Sequence, residues 1–375
     1  MKPDNCGISV VTPTFNRAEF LPDLFGSLRK AAENFKGNVE IIVVDDSSPK
    51  EAEITRQLCE ENGAIYLAGV PSVREKRNLG IQTATNEIIL FVDSDCIATD
   101  DLFNQHINSY KNADSDVAGI VGITEFVGED SWFWEVVSRS QFLNAFSFAR
   151  RMEFAPWATC TNTSYKRRVL LDLGGFEVNF PFKLGADDAD LGIRLNKAGL
   201  KIKCNAEAVV FHTKETWSSF FAVAGRAFRW GRMDLHLYFF RHSDRLAYSL
   251  PKFSHIFLLL ICLAIIESLF FFKPIPLLLP ILWVFITLFA QAVISIIVSA
   301  KSPLNILYEL LADVLGLIFE FGTIFEGIIQ KEPKIFYKTV RRGPMLPNFE
   351  QTEWVIQSWS MWFGILLTIL INKAL

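Results

Sequence analysis

Two aspartates at the end of an apolar stretch are the residues whose types and spacing most directly suggest chemistry. Asp93 and Asp95 are separated by one serine and follow the run 87–92. Such a run is typical of a strand that is buried on both faces of a mostly parallel sheet. Carboxylates spaced i, i+2 in a turn can meet at one divalent cation, which could neutralise a diphosphate. The alternative for this pattern alone is an acidic turn that caps the next helix.

The elements that must position these acids form a regular pattern. The first half of the sequence alternates strand-like runs with helix-like segments, which predicts βαβ units and a parallel sheet. In a doubly wound sheet the carboxyl ends of the strands converge on one crevice. Polar side chains recur at the predicted strand ends, as Thr12 and Thr14, Asp45 and Asp46, and Asp93 and Asp95.

Two common phosphate-binding motifs are missing from the first loop. It has neither the GxGxxG pattern of dinucleotide-binding folds nor the GxxxxGK[ST] pattern of a P-loop. An acidic residue after a second strand often hydrogen-bonds the ribose or base of a nucleotide, so Asp45 and Asp46 indicate a nucleotide site of another kind. We expect its diphosphate to meet a metal on Asp95 and the side chain of Arg77.

Charge and cysteine content narrow the function classes. The formal net charge is −4, and a clustered basic surface is not evident, which gives no support for nucleic-acid binding. The 6 cysteines are scattered without CxxC spacing. We therefore expect neither a disulfide framework nor a thiolate zinc site, and we expect a reducing compartment.

Six short motifs occur in order along the first part of the chain. They are VTPTFNR at 11–17, EIIVVDDSS at 40–48, RNLG at 77–80, DSD at 93–95, GGF at 174–176 and DDADL at 187–191. Together they resemble the markers of family-two inverting glycosyltransferases of the GT-A fold, over about residues 7–230. The resemblance implies an α/β, Rossmann-like catalytic domain with a mostly parallel sheet. It also implies a nucleotide-diphosphate sugar as donor, with Mg²⁺ or Mn²⁺.

The resemblance also implies roles for residues of the donor site. Asp95 would ligate the metal, Asp93 would touch the metal or the ribose, and His212 at the end of a later strand would complete the metal site. Judged from residue type alone, Thr12 and Thr14 could be ordinary loop hydroxyls, and Asp45 and Asp46 could cap a helix. Arg77 could be a solvated helix charge, and His212 could be a structural histidine. The donor-binding positions are Thr12, Thr14, Asp45, Asp46, Arg77 and Asp93.

Asp188 is the predicted catalytic residue. Inverting transfer to a hydroxyl needs a group that removes the proton of the acceptor, and a carboxylate within hydrogen-bond reach can do so. In the family the second acid of a Glu-Asp pair is this base, which corresponds to Asp188, although Asp187 stands where glutamate is more frequent. Acids are also favoured in the first turn of any helix by its dipole, which is the alternative.

Further residues are predicted to contact the acceptor or a lipid. Trp157 could stack on the acceptor sugar or pack in the core. Asn162 could hydrogen-bond hydroxyls of the acceptor, and Asp187 is also predicted to contact the acceptor. Arg229 and Trp230 partly match the QxxRW motif of processive polysaccharide synthases, with Arg226 in place of glutamine. The arginines also suit an interfacial helix that binds anionic head groups or a lipid diphosphate.

Long apolar runs dominate the sequence after about residue 250. The stretches 255–272, 276–299 and 355–371 are long and apolar enough to predict three membrane-spanning helices. The stretch 304–329 carries acids and glycines on one helical face, which predicts an interfacial or re-entrant amphipathic helix. Basic residues before the first span and after residue 330 predict a cytoplasmic catalytic domain, three spans and an external C-terminus.

These observations predict an integral membrane protein with three regions. They are a catalytic domain over 1–230, a juxtamembrane segment over 231–254 and a membrane region over 255–375. The predicted function is membrane-anchored, inverting transfer of a sugar to a hydroxyl of a lipid-linked or growing glycan. The alternatives are a polyprenyl-phosphate glycosyltransferase, whose anionic acceptor needs no base, and a processive synthase. A non-enzymatic scaffold and a transporter are disfavoured, and the sequence leaves oligomerisation open.

Overall fold

The computed structural model describes residues 7–340, apart from 112, 183–184, 249–253, 299–304 and scattered positions between 256 and 277, together with residue 366. Its contacts group the chain into two compact units. The first comprises Met1–Glu129 and Asn144–Thr216, and the second comprises Asp130–Leu143 and Trp217–Leu375. The segment Asp130–Leu143 therefore groups with the C-terminal part of the chain and not with its neighbours in sequence.

The first unit is an α/β fold, as the sequence predicts. Its strands are β1 (Ile8–Thr14), β2 (Val39–Asp45), β3 (Ile65–Ala68), β4 (Ile88–Val92), β5 (Cys96–Ala98), β6 (Val117–Val127), β7 (Phe154–Ala155), β8 (Asn162–Lys166) and β9 (Lys201–Thr213). Its helices are α1 (Leu21–Glu33), α2 (Pro49–Glu61), α3 (Val73–Thr83), α4 (Leu102–Lys111), α6 (Arg167–Asp172) and α7 (Asp187–Lys197). Helix α5 (Trp132–Arg139) belongs to the second unit.

The sheet of the first unit is mixed, with the strand order β3-β2-β1-β4-β8-β6-β9-β5 and with β7 also paired to β9. Strands β3, β2, β1 and β4 pair in parallel with one another, and β6 pairs in parallel with β9. Strand β8 runs antiparallel to both β4 and β6, and β5 and β7 run antiparallel to β9. The prediction of a mostly parallel sheet is therefore wrong, because antiparallel pairs are as frequent as parallel pairs among the described strands of this sheet. The strands after β4 follow turns as well as crossover helices, so the chain can return in the opposite direction.

The central strands carry apolar side chains to both faces of this sheet. All five residues of β4 are buried, and they alternate between two apolar clusters. Leu90 packs in the cluster that contains Leu24 and Leu28 of α1, whereas Phe91 packs in the cluster that contains Ile81 of α3. Because helices cover both faces, the run 87–92 lacks polar alternation. The burial predicted for this run is confirmed for residues 88–92, whereas Glu87 is exposed.

The second unit consists mainly of helices. In addition to α5 it contains α8 (Phe220–Asp234), a π-helix (Leu235–Arg241), α9 (Leu278–Val298), α10 (Ile306–Ile329) and the antiparallel strands β10 (Leu246–Tyr248) and β11 (Lys338–Val340).

Helices α8 and α10 approach each other closely through two glycines. A Cβ atom on Gly231 would lie 1.9 Å from the backbone oxygen of Phe319, and one on Gly322 would lie 2.2 Å from that of Phe228. The hydroxyl of Thr323 donates a 2.9 Å hydrogen bond to the Gly231 carbonyl. The absence of side chains at the two glycines is therefore what permits this packing.

The predicted membrane spans are not supported. Helix α9 falls within the stretch 276–299, whereas most of 255–272 and nearly all of 355–371 lie outside the described residues. Among the residues that the structure describes, we find no helix that combines the length and the apolar character needed to cross a bilayer. Helix α10 covers the stretch 304–329 that was predicted to be interfacial or re-entrant.

Candidate active site

The turn between β4 and β5 holds Asp93 and Asp95 at the carboxyl end of a buried strand. The Asp95 side chain is fully shielded from solvent, and its two oxygens face different partners. Its Oδ2 lies 2.8 Å from Nη1 of Arg17, and its Oδ1 lies 3.3 Å from Nε2 of His212. His212 reaches this position because β9 pairs with β5, with His212 opposite Cys96. The predicted neighbourhood of Asp95 and His212 thus exists.

The His212 ring is oriented in a way that suits metal binding. Its Nδ1 lies 2.7 Å from the Thr213 carbonyl oxygen, which can only accept, so Nδ1 carries the proton. In the neutral ring, Nε2 then presents a lone pair towards Asp95. The buried Oδ1 of Asp95 has no hydrogen-bond partner within the described part of the chain. Two facing acceptors of this kind fit a shared cation, because outer hydrogen bonds commonly fix ligating histidines in this manner.

Cys96 lies close to the same atoms. Its sulfur, an Asp95 oxygen and a His212 nitrogen all lie within 4.8 Å of one another. The Cys96 side chain also belongs to the apolar core cluster, and sulfur is a poor ligand for hard cations such as Mg²⁺. We therefore assign Cys96 to the core.

Arg77 connects the two acidic clusters that the sequence singles out. Its side chain is buried, with Nη2 3.9 Å from Oδ1 of Asp93 and with a hydrogen bond from Nη1 to Asp187. Asp93 also accepts a 2.9 Å hydrogen bond from the Thr161 hydroxyl. Arg77 is therefore not a solvated helix charge. It is a buried cation between acids that are 94 residues apart in sequence, since 187 − 93 = 94.

The residues that surround Arg77 explain two further motifs. Asn78 forms hydrogen bonds of 2.8 and 2.7 Å with the backbone of Phe176. Gly175 has φ +71°, and a Cβ there would lie 2.3 Å from Oδ1 of Asn78. A Cβ on Gly80 would lie 2.4 Å from Cγ1 of Val11, so α3 packs closely on β1. These contacts fix the helix that carries Arg77 and the turn that precedes α7.

Asp188 has the electrostatic properties of a general base. It lies in the first turn of α7, beside the buried Asp187. Burial, and after it the charge of Asp187, raise the pKa of Asp188 from 3.8 to about 7, and the Arg77 guanidinium opposes both effects. Burial also raises the pKa of Asp93, where the Asp95 charge adds to the effect and Arg77 opposes it. Arg77 therefore acts electrostatically on both Asp93 and Asp188.

The ends of β1 and β2 present the polar groups predicted to hold a nucleoside. Thr12 and Thr14 are buried, and neither hydroxyl has a hydrogen-bond partner among the described residues. Asp45 accepts a 3.0 Å hydrogen bond from the backbone of Ser47. Asp46 pairs with the buried ammonium of Lys76, which also donates a 2.7 Å hydrogen bond to the Thr14 carbonyl.

The residues predicted to bind the acceptor fall into different environments. Trp157 is partly buried and packs edge-on against Phe148, with 5.9 Å between ring centroids. Asn162 is buried, and its amide donates to the carbonyls of Ile123 and Ala208 at 2.8 and 2.9 Å. Its oxygen lies 2.9 Å from Nε2 of His106. These contacts favour a structural role for Asn162, whereas Asp187 lies at the site beside Arg77.

Arg226, Arg229 and Trp230 lie on α8, in the second unit. The Arg226 guanidinium carbon lies 4.3 Å from the ring centroid of Trp217 and 5.9 Å from that of Trp230. Arg229 is exposed. Neither the stacking of Arg226 nor the exposure of Arg229 tests the predicted contact with a lipid or a phosphate, which stays a prediction.

Several residues of the site escaped prediction as functional residues. Arg17 pairs with Asp95, Lys76 pairs with Asp46, and Thr161 contacts Asp93. Arg74 is buried and donates a 2.5 Å hydrogen bond to the Phe182 carbonyl, which holds the loop before α7. The sequence does show three basic residues, Arg74, Lys76 and Arg77, within four positions of α3, which could have indicated a cluster of positive charge. Their burial was not evident from the sequence.

Comparison with known proteins agrees with this geometry. Residues 9–174 match the family model described as glycosyl transferase family 2. Over these residues, which are less than half of the chain, the sequence is similar to glycosyl transferase family 2, and the α/β fold is of the GT-A type. The mannosyltransferase PcManGT from Pyrobaculum calidifontis, solved with GDP-Man and Mn²⁺, superposes with a TM-score of 0.51 at 17% identity, covering 88% of this chain and 90% of that one.

Two curated glycosyltransferases are similar to parts of this chain. An uncharacterized glycosyltransferase of Bacillus subtilis, YfnE, is 24% identical over 258 residues, covering 54% of this chain and 64% of the relative. A dolichol-phosphate mannosyltransferase of Pyrococcus furiosus is 29% identical over 117 residues, covering 30% of this chain and 32% of the relative. The chain thus covers less than two thirds of the length of either relative.

Proposed function

We propose that this chain is a metal-dependent, inverting glycosyltransferase that transfers a sugar from a nucleotide-diphosphate sugar to a hydroxyl of a lipid-linked or growing glycan. The observation that carries the proposal is the environment of Asp188. This partly buried carboxyl has a pKa of about 7, beside Asp187 and near Arg77, which also contacts Asp93. A base whose pKa lies near the working pH is effective in removing a proton.

The proposed reaction has one displacement step. The acceptor oxygen attacks the anomeric carbon and forms the new glycosidic bond, while the bond from that carbon to the diphosphate oxygen breaks. The acceptor proton moves to the carboxylate of Asp188, and the nucleoside diphosphate leaves with the electron pair. Attack opposite to the leaving group inverts the anomeric configuration. Arg77 is placed to offset negative charge next to Asp93 and Asp187.

Asp95 and His212 are the proposed metal ligands, with Asp93 nearby. Their facing Oδ1 and Nε2 atoms fit a shared Mg²⁺ or Mn²⁺. When bound, such a cation supplies positive charge that stabilises the diphosphate leaving group. The mannosyltransferase with the same fold was solved with GDP-Man and Mn²⁺, which supports a nucleotide sugar and a divalent cation as the molecules bound here. The unpartnered hydroxyls of Thr12 and Thr14, together with Asp45 and Asp46, form the proposed nucleoside site.

A phosphate acceptor is the second candidate function. One relative of the domain is a dolichol-phosphate mannosyltransferase, which supports this alternative. A polyprenyl phosphate is already anionic and needs no general base. The raised pKa of Asp188 therefore favours the hydroxyl acceptor, with Asp187 and Trp157 as the proposed neighbours of the acceptor sugar. A processive synthase is less favoured, because Arg226 replaces the glutamine of QxxRW.

We also propose attachment to a membrane, with the region 1–230 in the cytoplasm. The apolar sequence after residue 250 supports this proposal. The described part of the second unit exposes large apolar side chains, among them Phe221, Phe285 and Ile297. Sodium carbonate extraction tests attachment, since an anchored protein stays in the membrane pellet. Labelling of a Lys338→Cys variant from the cytoplasmic side is expected, and labelling from outside alone would contradict the proposed topology.

The reaction is tested with the full chain purified in detergent. Nucleotide sugars are screened for Mn²⁺-dependent release of the nucleoside diphosphate with hydroxyl and polyprenyl-phosphate acceptors. Asp188→Asn is expected to lower kcat by about 10²–10⁴-fold while the nucleotide still binds. Asp172→Asn, at an exposed pair with Arg168, is the matched control. Near-normal transfer by Asp188→Asn would favour the phosphate acceptor, and the lack of transfer with every donor would contradict the proposal.

A further inference from the structure

Arg17 occupies one side of the proposed metal ligand Asp95. Its Nη1 donates a 2.8 Å hydrogen bond to Oδ2 of Asp95. The Asp95 side chain is fully shielded, whereas the Arg17 side chain is 38% exposed. The buried carboxylate therefore receives a counter-charge from a side chain that retains access to solvent.

The backbone before Arg17 is hydrogen-bonded to the loop that follows β2. Asn16 adopts the left-handed conformation with φ 50°, and its N–H donates a 2.6 Å hydrogen bond to the Ser47 hydroxyl. The side-chain oxygen of Asn16 accepts a 3.0 Å hydrogen bond from the backbone of Ser48. These bonds join the loops that follow β1 and β2. These bonds fix the backbone next to Arg17, so a change in the position of its guanidinium requires only rotation of the long side chain.

We propose that Arg17 is a positioning residue that stands in for the divalent cation at Asp95 and leaves this carboxylate when the cation binds. This inference rests on the proposed metal site. Oδ1 of Asp95 faces His212 without a hydrogen-bond partner among the described residues, while Oδ2 is bound to Arg17. A cation at Asp95 would lie beside the guanidinium, and the two positive charges would repel each other.

The released guanidinium then has a natural partner. A nucleoside diphosphate that binds with the cation brings oxygens that match the planar fork of an arginine. The cation alone must compete with Arg17 for Asp95, whereas the cation with a diphosphate gives Arg17 a replacement partner. Arg17 therefore couples the two binding events, so that each ligand raises the affinity for the other.

The test measures Mn²⁺ binding to the full chain, without any sugar donor. Free Mn²⁺ is followed by electron paramagnetic resonance in wild type and in Arg17→Gln, Arg17→Lys, Asp95→Asn and the control Arg168→Gln. Arg168 is 85% exposed and pairs with Asp172, so its loss removes a cation away from Asp95. Each titration is repeated with UDP and with GDP, and circular dichroism confirms that each variant is folded.

Arg17→Gln is expected to bind Mn²⁺ alone roughly 3- to 30-fold more tightly than wild type, as for loss of one partly exposed, charge-assisted contact. Its gain in Mn²⁺ affinity on addition of UDP or GDP should shrink. Arg17→Lys and Arg168→Gln should resemble wild type more closely. If Asp95→Asn abolishes binding but Arg17→Gln binds Mn²⁺ as wild type does, the role of Arg17 is wrong and the metal site stands. If Asp95→Asn binds Mn²⁺ normally, the metal site itself is wrong, and the inference falls with it.

Discussion

If the proposed transfer reaction is correct, the charge of Asp187 should set the pH at which activity is lost. Burial and the Asp187 carboxylate raise the pKa of Asp188 to about 7, and Arg77 lowers it. Asp187→Asn removes a negative neighbour and also frees Arg77 from its ion pair with Asp187. Both changes favour the ionised form of Asp188, so its pKa must move downwards.

The magnitude follows from the titration of one group. With a pKa of about 7, about one tenth of Asp188 is ionised at pH 6 and about nine tenths at pH 8. If ionised Asp188 is the base, wild-type kcat/KM should be about tenfold lower at pH 6 than at pH 8. In Asp187→Asn this ratio should approach one, even if the absolute rate falls because the ion pair with Arg77 is lost.

The assay is release of nucleoside diphosphate at saturating Mn²⁺ and low acceptor concentration, at constant ionic strength from pH 5.5 to 8.5. The control Asp172→Asn keeps the charges around Asp188 and should retain the wild-type ratio. The residual rate of Asp188→Asn should not show the acidic limb. A flat wild-type profile, or a limb that moves to higher pH in Asp187→Asn, would refute the assignment of Asp188 as the base.

Three further predictions concern stability, each measured by thermal unfolding. Asp188→Asn should melt higher than wild type, by more at pH 8 than at pH 5, because the native pKa of about 7 exceeds the ordinary 3.8 and ionisation of this acid destabilises the fold progressively as pH rises through that interval. Gly322→Ala should cost about 1–3 kcal/mol, since its Cβ would lie 2.2 Å from the Phe228 carbonyl, whereas Gly316→Ala on the same helix, with its nearest atom at 3.6 Å, should be neutral or gain up to about 1 kcal/mol. Asn162→Ala should cost about 1–3 kcal/mol for each buried group left unpaired without changing nucleotide affinity, and a loss of acceptor affinity without a loss of stability would restore its acceptor role.

The strand-end acids could be predicted from the sequence because their positions follow from local patterns. The run 87–92 lacks polar alternation, which indicates burial on both faces, and Asp93 and Asp95 necessarily follow its end. The same logic placed Thr12 and Asp45 at the ends of β1 and β2. Parallel strands bring such ends to one edge, so their proximity needs no knowledge of side-chain contacts.

The sequence alone is least informative where the local pattern is weak or where partners are distant along the chain. Strand β8 has the sequence NTSYK, whose polar residues gave no sign of burial between β4 and β6. Asn162 was therefore predicted to face an acceptor, although its amide is bound to backbone carbonyls. The pairs Arg77–Asp187 and Arg17–Asp95 join residues 110 and 78 positions apart, and only the folded sheet brings them together.

The acid–base and cation-binding properties of the site have a common electrostatic origin. Asp93, Asp187 and Asp188 share one buried cation, Arg77, so negative charge is in excess around it. Burial, and after it this excess of negative charge, disfavour the ionised form of Asp188, which is why it holds its proton up to a pKa of about 7. The same excess favours added positive charge, which Arg17 now provides at Asp95. A site with equal numbers of positive and negative side chains would bind a cation less well, and it would also make Asp188 a weaker base.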